Sequence, residues 1–511
     1  MVINMRKLNN KGYLLVEIIV ALVLAMTIAY FLIDLTLNLK EKNDDVFVDT
    51  ILVTDKMLMT DTIQEDIGRY RVTKLSQPSD SMLDITYQIN GSDVTKRISI
   101  ESIDDRYLFK YGTIDASGNY DDTVYQKEFN EALDVDRIIL SNSCYNEASD
   151  TYVACSSSAD NGNGIMTIKI SAYTLYSDKD YGINISVPYK TSDIVVEEYT
   201  GPREIVDEIK ELGIKECLPI TDPAKTDEGV CTAPDDYGTS YVFRGNISYN
   251  YVKYAGYYWR IIRINGNDTI RMIYDGTVAH TNSDSDEDRQ LETRTNYASN
   301  QNDNMYVGYM YGTRDATSYE ETHANENDSR IKTVVDKWYK ENIVDKGYED
   351  KIADVIYCND RSLVTGEGFG DNYTEYGFRG RGGAYTLKCS QKNDAFTVND
   401  TSKGNGDLTY PVGLITADEL IFGGTFYPDG SYNHSTYLYN GQHYWTMTPY
   451  GFGISRNYAR VSFLFSDGNV NNGYANDSNL RIGVRPVISL KGDTIFRGKG
   501  TMTEPYEVVD E

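Results

Sequence analysis

Residues Tyr13 to Ile33 form a 21-residue apolar run broken by a single charge, Glu17, and about 20 apolar residues in a helix are what the hydrocarbon core of a bilayer requires. No other feature of the 511-residue chain constrains its fold and placement so strongly. The twelve residues before it, MVINMRKLNNKG, carry Arg6, Lys7 and Lys11 and no acid. Segments rich in Lys and Arg stay cytoplasmic, which predicts a single-pass anchor over 13–33 in the cell membrane, with the chain beyond residue 35 extracytoplasmic. A cleaved secretory signal is the alternative, but the run exceeds an ordinary signal core and no small-x-small site precedes Asp34.

A carboxylate inside an apolar helix is costly unless something pairs with it. The junction Lys11-Gly12-Tyr13-Leu14-Leu15-Val16-Glu17 resembles the processing site of type IV prepilins and minor pseudopilins. That resemblance implies cleavage after Gly12 by a prepilin peptidase, N-methylation of Tyr13, and pairing of Glu17 with the new N-terminal ammonium of a neighbouring pilin subunit. It also implies a long helix over 13–69, continued beyond the bilayer by Val48, Leu52, Met59, Ile63 and Ile67 at helical spacing, then a small antiparallel sheet domain.

The whole chain balances 49 basic against 77 acidic side chains, a net charge of −28. A surface so acidic repels phosphate backbones, so no nucleic-acid partner is expected. A hydrophobic fraction of 40% excludes wholesale disorder. The 44 tyrosines, against 14 phenylalanines, suit a protein that exposes rigid, amphipathic contact area. His280, His323, His434 and His443 fall in no metal-ligand spacing, so no metal and no cofactor is expected.

Residues 70–189 read as alternating strands; Met166, Ile168, Ile170 and Ala172 face one way and Ile183, Ile185 and Val187 repeat the pattern as a hairpin. Residues 190–216 read as a linker and 217–511 as a separate head. Six cysteines in an exported chain imply disulfides, with 15 pairings open. The shortest loops join Cys144 to Cys155, Cys217 to Cys231 and Cys358 to Cys389. In the head, helices are predicted over 331–343 and 416–422, the second capped by Thr416, and Asn265-Gly266 marks a hairpin turn.

Tyr444-Trp445-Thr-Met-Thr448, Ala459-Arg-Val-Ser462, Ser466-Asp-Gly-Asn-Val470 and Gly483-Val-Arg-Pro-Val487 come in that order along the chain. This succession resembles the C-type-lectin-like heads related to formylglycine-generating enzymes, which occur on bacterial surface proteins and on targets of diversity-generating retroelements. Trp445, Arg485 and Pro486 are read as structural, since such residues in strands pack inward. Between them, Tyr450, Phe452, Arg456, Tyr458, Phe463, Phe465, Asn469, Asn471, Asn472, Tyr474, Asn476, Asn479 and Arg481 mix aromatics, Asn and Arg as a binding surface does; ordinary Asn-Gly loop chemistry is the bland alternative. The calcium-lectin tripeptides Glu-Pro-Asn and Trp-Asn-Asp are absent, and the acidic run Asn282–Asp288 lacks an EF-hand's Gly and terminal Glu.

The combined expectation is an α+β protein, with a long N-terminal pilin helix, a small sheet domain and a C-type-lectin-like head. It would be a minor pilin or pseudopilin displaying an adhesin-like head to a surface protein or glycan, and not an enzyme. The second reading is an assembly component of a type II secretion-like or competence pseudopilus without a dedicated ligand. A retroelement target and an oxidase-like enzyme, which would need copper-binding thiols, are the remaining readings.

Overall fold

The computed structural model describes residues 57–509 except 104–105, 122–123, 130–132, 147–150, 155–163, 175–176, 181–182, 190–194, 198–200, 214, 218–227, 283, 292–293, 365–368, 371–372, 378–384, 426–431, 454–456 and 478–480. The chain divides into two compact units, residues 1–199 and 200–511.

The α+β expectation carried by a long N-terminal helix is corrected. The described residues are mostly strand, and no helix among them is long and apolar enough to cross a membrane. Helix is described over 57–69, where Met59 and Ile63, four residues apart, are buried and Asp61 between them is exposed. From residue 71 onward, period-two alternation dictates strands, because a helix cannot bury such a pattern on one face. The 13–33 run and the processing residues Gly12, Tyr13 and Glu17 lie outside the described residues, as do Val48 and Leu52.

In the first unit the strands Arg71–Ser79, Met82–Ile89, Ser92–Ile103, Arg106–Thr113 and Tyr125–Glu128 form an antiparallel meander, with Val195–Glu197 added parallel to the first. A second sheet orders Ile183–Tyr189, Gly164–Thr174, Leu133–Asn146 and Thr151–Ala154. Its hairpin pairs Ile170 with Ile183, Ile168 with Ile185 and Met166 with Val187. Both sheets and the 57–69 helix share one core, in which Ile63, Leu75, Ile85, Phe109, Ile168 and Ile185 are fully enclosed. Asp66 ties the helix to the meander, accepting from Lys96 Nζ at 2.6 Å and from the Tyr111 hydroxyl at 2.8 Å.

The second unit is built on a nine-stranded sheet whose central strands are Tyr257–Ile264 and Ile270–Gly276. The latter is buried along its whole length because both of its faces are covered. Part of the stretch read as a linker belongs here: Ile205, Val206 and Ile209, around the short helix Val206–Leu212, are buried in this core. The helix Arg330–Asn342 begins at Ser329, whose side chain accepts from Lys332 N, and buries Ile331, Val335 and Tyr339. Ala417–Phe422 starts with a capping box: Thr416 accepts from Glu419 N, and Glu419 accepts from Thr416 N. The expected two-residue turn after Ile264 is a longer loop over 265–269, with Asp268 at positive φ. Disulfides join Cys217 to Cys231 and Cys358 to Cys389; Cys144 lies in a strand and Cys155 lies outside the described residues.

Candidate ligand-binding face

The second sheet of the C-terminal unit carries most of the sequence-selected residues. Its strands His443–Gly453, Tyr458–Leu464 and Val470–Tyr474 run antiparallel, flanked by Tyr373–Glu375 and Ile482–Gly483. Side chains alternate across such a sheet. Ala459, Val461 and Phe463 therefore share the inner face and are buried, while Tyr458 and Arg460 share the outer face and are half-buried.

The inner face is the base of the site. Trp445 is fully enclosed, its indole N–H donates to the Thr295 carbonyl at 2.6 Å, and it packs edge-on against Tyr297 and Phe463. Pro486 is buried at the start of the strand Pro486–Leu490, and Arg485 is buried beside it. Arg485 belongs to a core hub centred on Asp275. The Asp275 carboxylate accepts from Arg289 Nε at 2.9 Å and from Arg485 Nη2 at 2.8 Å, with Arg260 Nη1 3.8 Å away. None of these four side chains reaches solvent. Burial pulls the Arg260 guanidinium down to about 10, against the pull of Asp275, and lowers Arg485 as well.

Three arginines share one carboxylate because backbone carbonyls and amides take their other donors. Arg289 reaches the carbonyls of Asp284, Tyr437 and Tyr439; Arg485 reaches those of Tyr274 and Leu438; Arg260 reaches Ile247 O, Asn250 Oδ1 and Asn282 Oδ1. The Asn282–Asp288 run therefore serves partly as a carbonyl clamp on Arg289. Its acids also hold a side chain: Asp284 and Asp288 contact the two ring nitrogens of His280 at 2.9 and 3.1 Å.

The outer face has a different character. In one cross-strand row stand Glu375, Gly451, Arg460 and Tyr474; in the next stand Tyr373, Gly453 and Tyr458. A Cβ on Gly451 would meet the Thr374 carbonyl oxygen at 2.8 Å and the Tyr373 hydroxyl at 2.9 Å, while one on Gly453 would stand 3.3 Å from the Tyr373 ring. Tyr458 and Tyr474 lie 4.5 Å apart, and the Arg460 guanidinium sits 5.3 and 5.5 Å from their ring centres. Arg460 Nη1 donates to Asn472 Oδ1 at 3.4 Å.

The sequence-selected residues divide by this geometry. Tyr458, Asn472 and Tyr474 are brought together on the outer face. Phe463 and Phe452 are corrected: both are buried, Phe463 because odd positions of its strand point inward. Phe465 is half-buried, stacked on Phe463 at 4.2 Å and edge-on to His443. Asn469 shapes the 465–469 turn, where its carbonyl accepts from Phe465 N at 2.7 Å, and Asn471 accepts from Asn472. Asn476 is a brace, donating to Ser299 O and accepting from Asn296. Tyr450 is half-buried and Arg481 is exposed, while Arg456 and Asn479 lie outside the described residues. Sequence reasoning missed Arg460 and Tyr373 as members of the face; strand parity with Tyr458 was the signal for Arg460.

Two concavities lie away from this face. A groove of about 380 Å³ is lined by Asn246, Ser248, Tyr251, Thr281, Asn282, Ser435 and Met502. A cavity of about 30 Å³, room for a single water, adjoins Asp236, Arg263, Asn265, Asp418 and Glu419. There burial alone would raise the Glu419 carboxyl, but Arg271 and Arg263 hold it below its ordinary value. No family model, no curated protein and no solved structure matches the chain.

Proposed function

We propose that this protein displays a ligand-binding head outside the cell, delivered as a pilin-like or pseudopilin-like subunit processed after Gly12 and methylated at Tyr13. The observation that carries the binding role is the outer face of the Tyr458 sheet. There Tyr458, Tyr474 and Arg460, residue types enriched in binding hot spots, stand half-exposed on a base fixed by Trp445 and the Asp275 hub.

The delivery role rests on the Lys11-Gly12-Tyr13 junction with Glu17. Mass spectrometry of surface-sheared material, from hosts with and without prepilin peptidase, tests it. The expected mature chain starts at methylated Tyr13 only when the peptidase is present, and a retained leader or a cut elsewhere overturns this half of the reading. The binding half is tested separately with Tyr458→Ala and Tyr474→Ala, which should abolish adherence of cells while leaving the amount of protein displayed unchanged.

A further inference from the structure

We infer that Arg460 is the seat for a carboxylate carried by the ligand, so that the head selects acidic groups; the inference rests on the outer sheet face being the binding surface. A guanidinium offers five N–H donors in one plane. Arg460 uses one of them, on Asn472 Oδ1 at 3.4 Å, and its Nε is shielded from solvent without any hydrogen-bond partner. The tyrosine rings at 5.3 and 5.5 Å hold the guanidinium by cation–π attraction, but a ring face is not an in-plane acceptor for N–H groups. The side chain is thus positioned and its donors are largely unspent.

Three buried arginines elsewhere in the unit are settled differently. Arg263 meets Asp235 at 2.6 Å, Arg271 meets Glu419 at 2.6 Å, and Arg361 meets Asp394 at 2.7 Å. Among the described residues Arg460 joins no ion pair, its one side-chain bond being to Asn472. Segments 454–456 and 478–480 read Ile-Ser-Arg and Ser-Asn-Leu and contain no acid. Glu375 stands in the same cross-strand row, two strands away with Gly451 between. Between His443 and Gly483 there are three arginines, Arg456, Arg460 and Arg481, against two aspartates and no Lys or Glu, within a chain of net charge −28.

That contrast also sets the class of ligand. The acidic chain as a whole repels a polyanion, whereas a single carboxylate can pair with one guanidinium through two parallel N–H···O bonds. A sugar acid and a free peptide C-terminus offer this group equally, with ring or side-chain surface to lie against Tyr458 and Tyr474.

Saturation-transfer NMR on the full chain tests the inference with two matched pairs: galacturonic acid and its methyl ester, and an acetylated aromatic dipeptide with a free C-terminus and its amide. At least one acid should bind ten-fold or more tightly than its neutral partner, and the active pair identifies the source of the carboxylate. Arg460→Gln should remove the advantage and Arg460→Lys should restore part of it. Equal binding of acid and neutral partner, or an acid preference that survives Arg460→Gln, overturns the inference. If binding is equal but Tyr474→Ala abolishes it, the face stands as the binding surface and only the carboxylate assignment falls. If none of the four probes binds, the carboxylate assignment falls, while the adherence assay on the tyrosine variants still decides the face.

Discussion

Arg485 and Arg460 belong to the same unit and each lies over a tyrosine ring, yet they differ in burial and in hydrogen bonding. Arg485 is wholly buried, all three of its nitrogens donate, and it shares Asp275 with Arg289. Arg460 is half-buried, rests against two tyrosines, and has a single long hydrogen bond. A guanidinium whose nitrogens all donate can be held out of water and can lock loops together, whereas an unsaturated one near solvent retains bonding capacity for something else. The first builds the head and the second is available for recognition.

The comparison is sharpened most by removing the acid at the hub. Asp275→Ala leaves three enclosed guanidiniums without their shared counter-charge, and breaking a buried pair from one side costs roughly 3–5 kcal/mol. Chemical denaturation of the C-terminal unit should show at least that loss, and the variant should accumulate poorly. A result under about 1 kcal/mol would mean that the backbone carbonyls alone hold the arginines. Next in size is the Cys358–Cys389 bridge, whose partners are separated by 31 residues. Replacing both cysteines by alanine should cost about 3–4 kcal/mol by loop-closure entropy, read as a lower denaturation midpoint under oxidising conditions.

How much of this was legible depended on whether a signal was local. Trp445, Arg485 and Pro486 were assigned to the core from their strand context, and they are buried. The helix start at Thr416 announced itself through capping chemistry confined to four residues, whereas the cap at Ser329 of the helix Arg330–Asn342 went unread. Neighbouring cysteines paired as the shortest loops for two bridges. The hub was not legible: Asp275 and Arg485 are 210 positions apart, and nothing in Ile270-Arg-Met-Ile273 announces which charges will meet inside. The binding residues were chosen by type across 450–481, and type ignores parity. Tyr458 and Phe463 differ by five positions, an odd number, so one strand cannot present both on the same face. The N-terminal apolar run dominated the reading of fold class, but the described residues are governed by alternation over many short strands.

A third effect comes from His323, which is fully enclosed, its Nε2 3.0 Å from the Tyr376 hydroxyl. Burial first, and the charge of Arg361 second, push its pKa well below 6.5. The folded state therefore refuses a proton that the unfolded chain accepts below pH 6.5. Stability is complete above that pH and falls as pH drops toward the depressed value, by about 1.4 kcal/mol per pH unit for this one group. His443 is lowered by burial too and adds in the same direction. Unfolding curves at pH 7.5 and 5.5 should show the decline, and His323→Phe should flatten it; an unchanged slope in the variant would assign the acid sensitivity to other groups.

The smallest expected effect on stability is at Arg460, and its smallness is what gives it meaning. Arg460→Gln gives up one 3.4 Å hydrogen bond and the attraction of two partly exposed rings, together about 1 kcal/mol or less. The same exchange at Arg485 removes bonds to Tyr274, Leu438 and Asp275 from a dry core and should cost several-fold more. Denaturation of the two variants side by side measures that ratio. Equal losses would make Arg460 another strut of the sheet and remove the reason to regard its donors as available. A large loss at Arg485 with a marginal one at Arg460 leaves that guanidinium held in position by a fold that does not depend on it, as a ligand-facing residue should be.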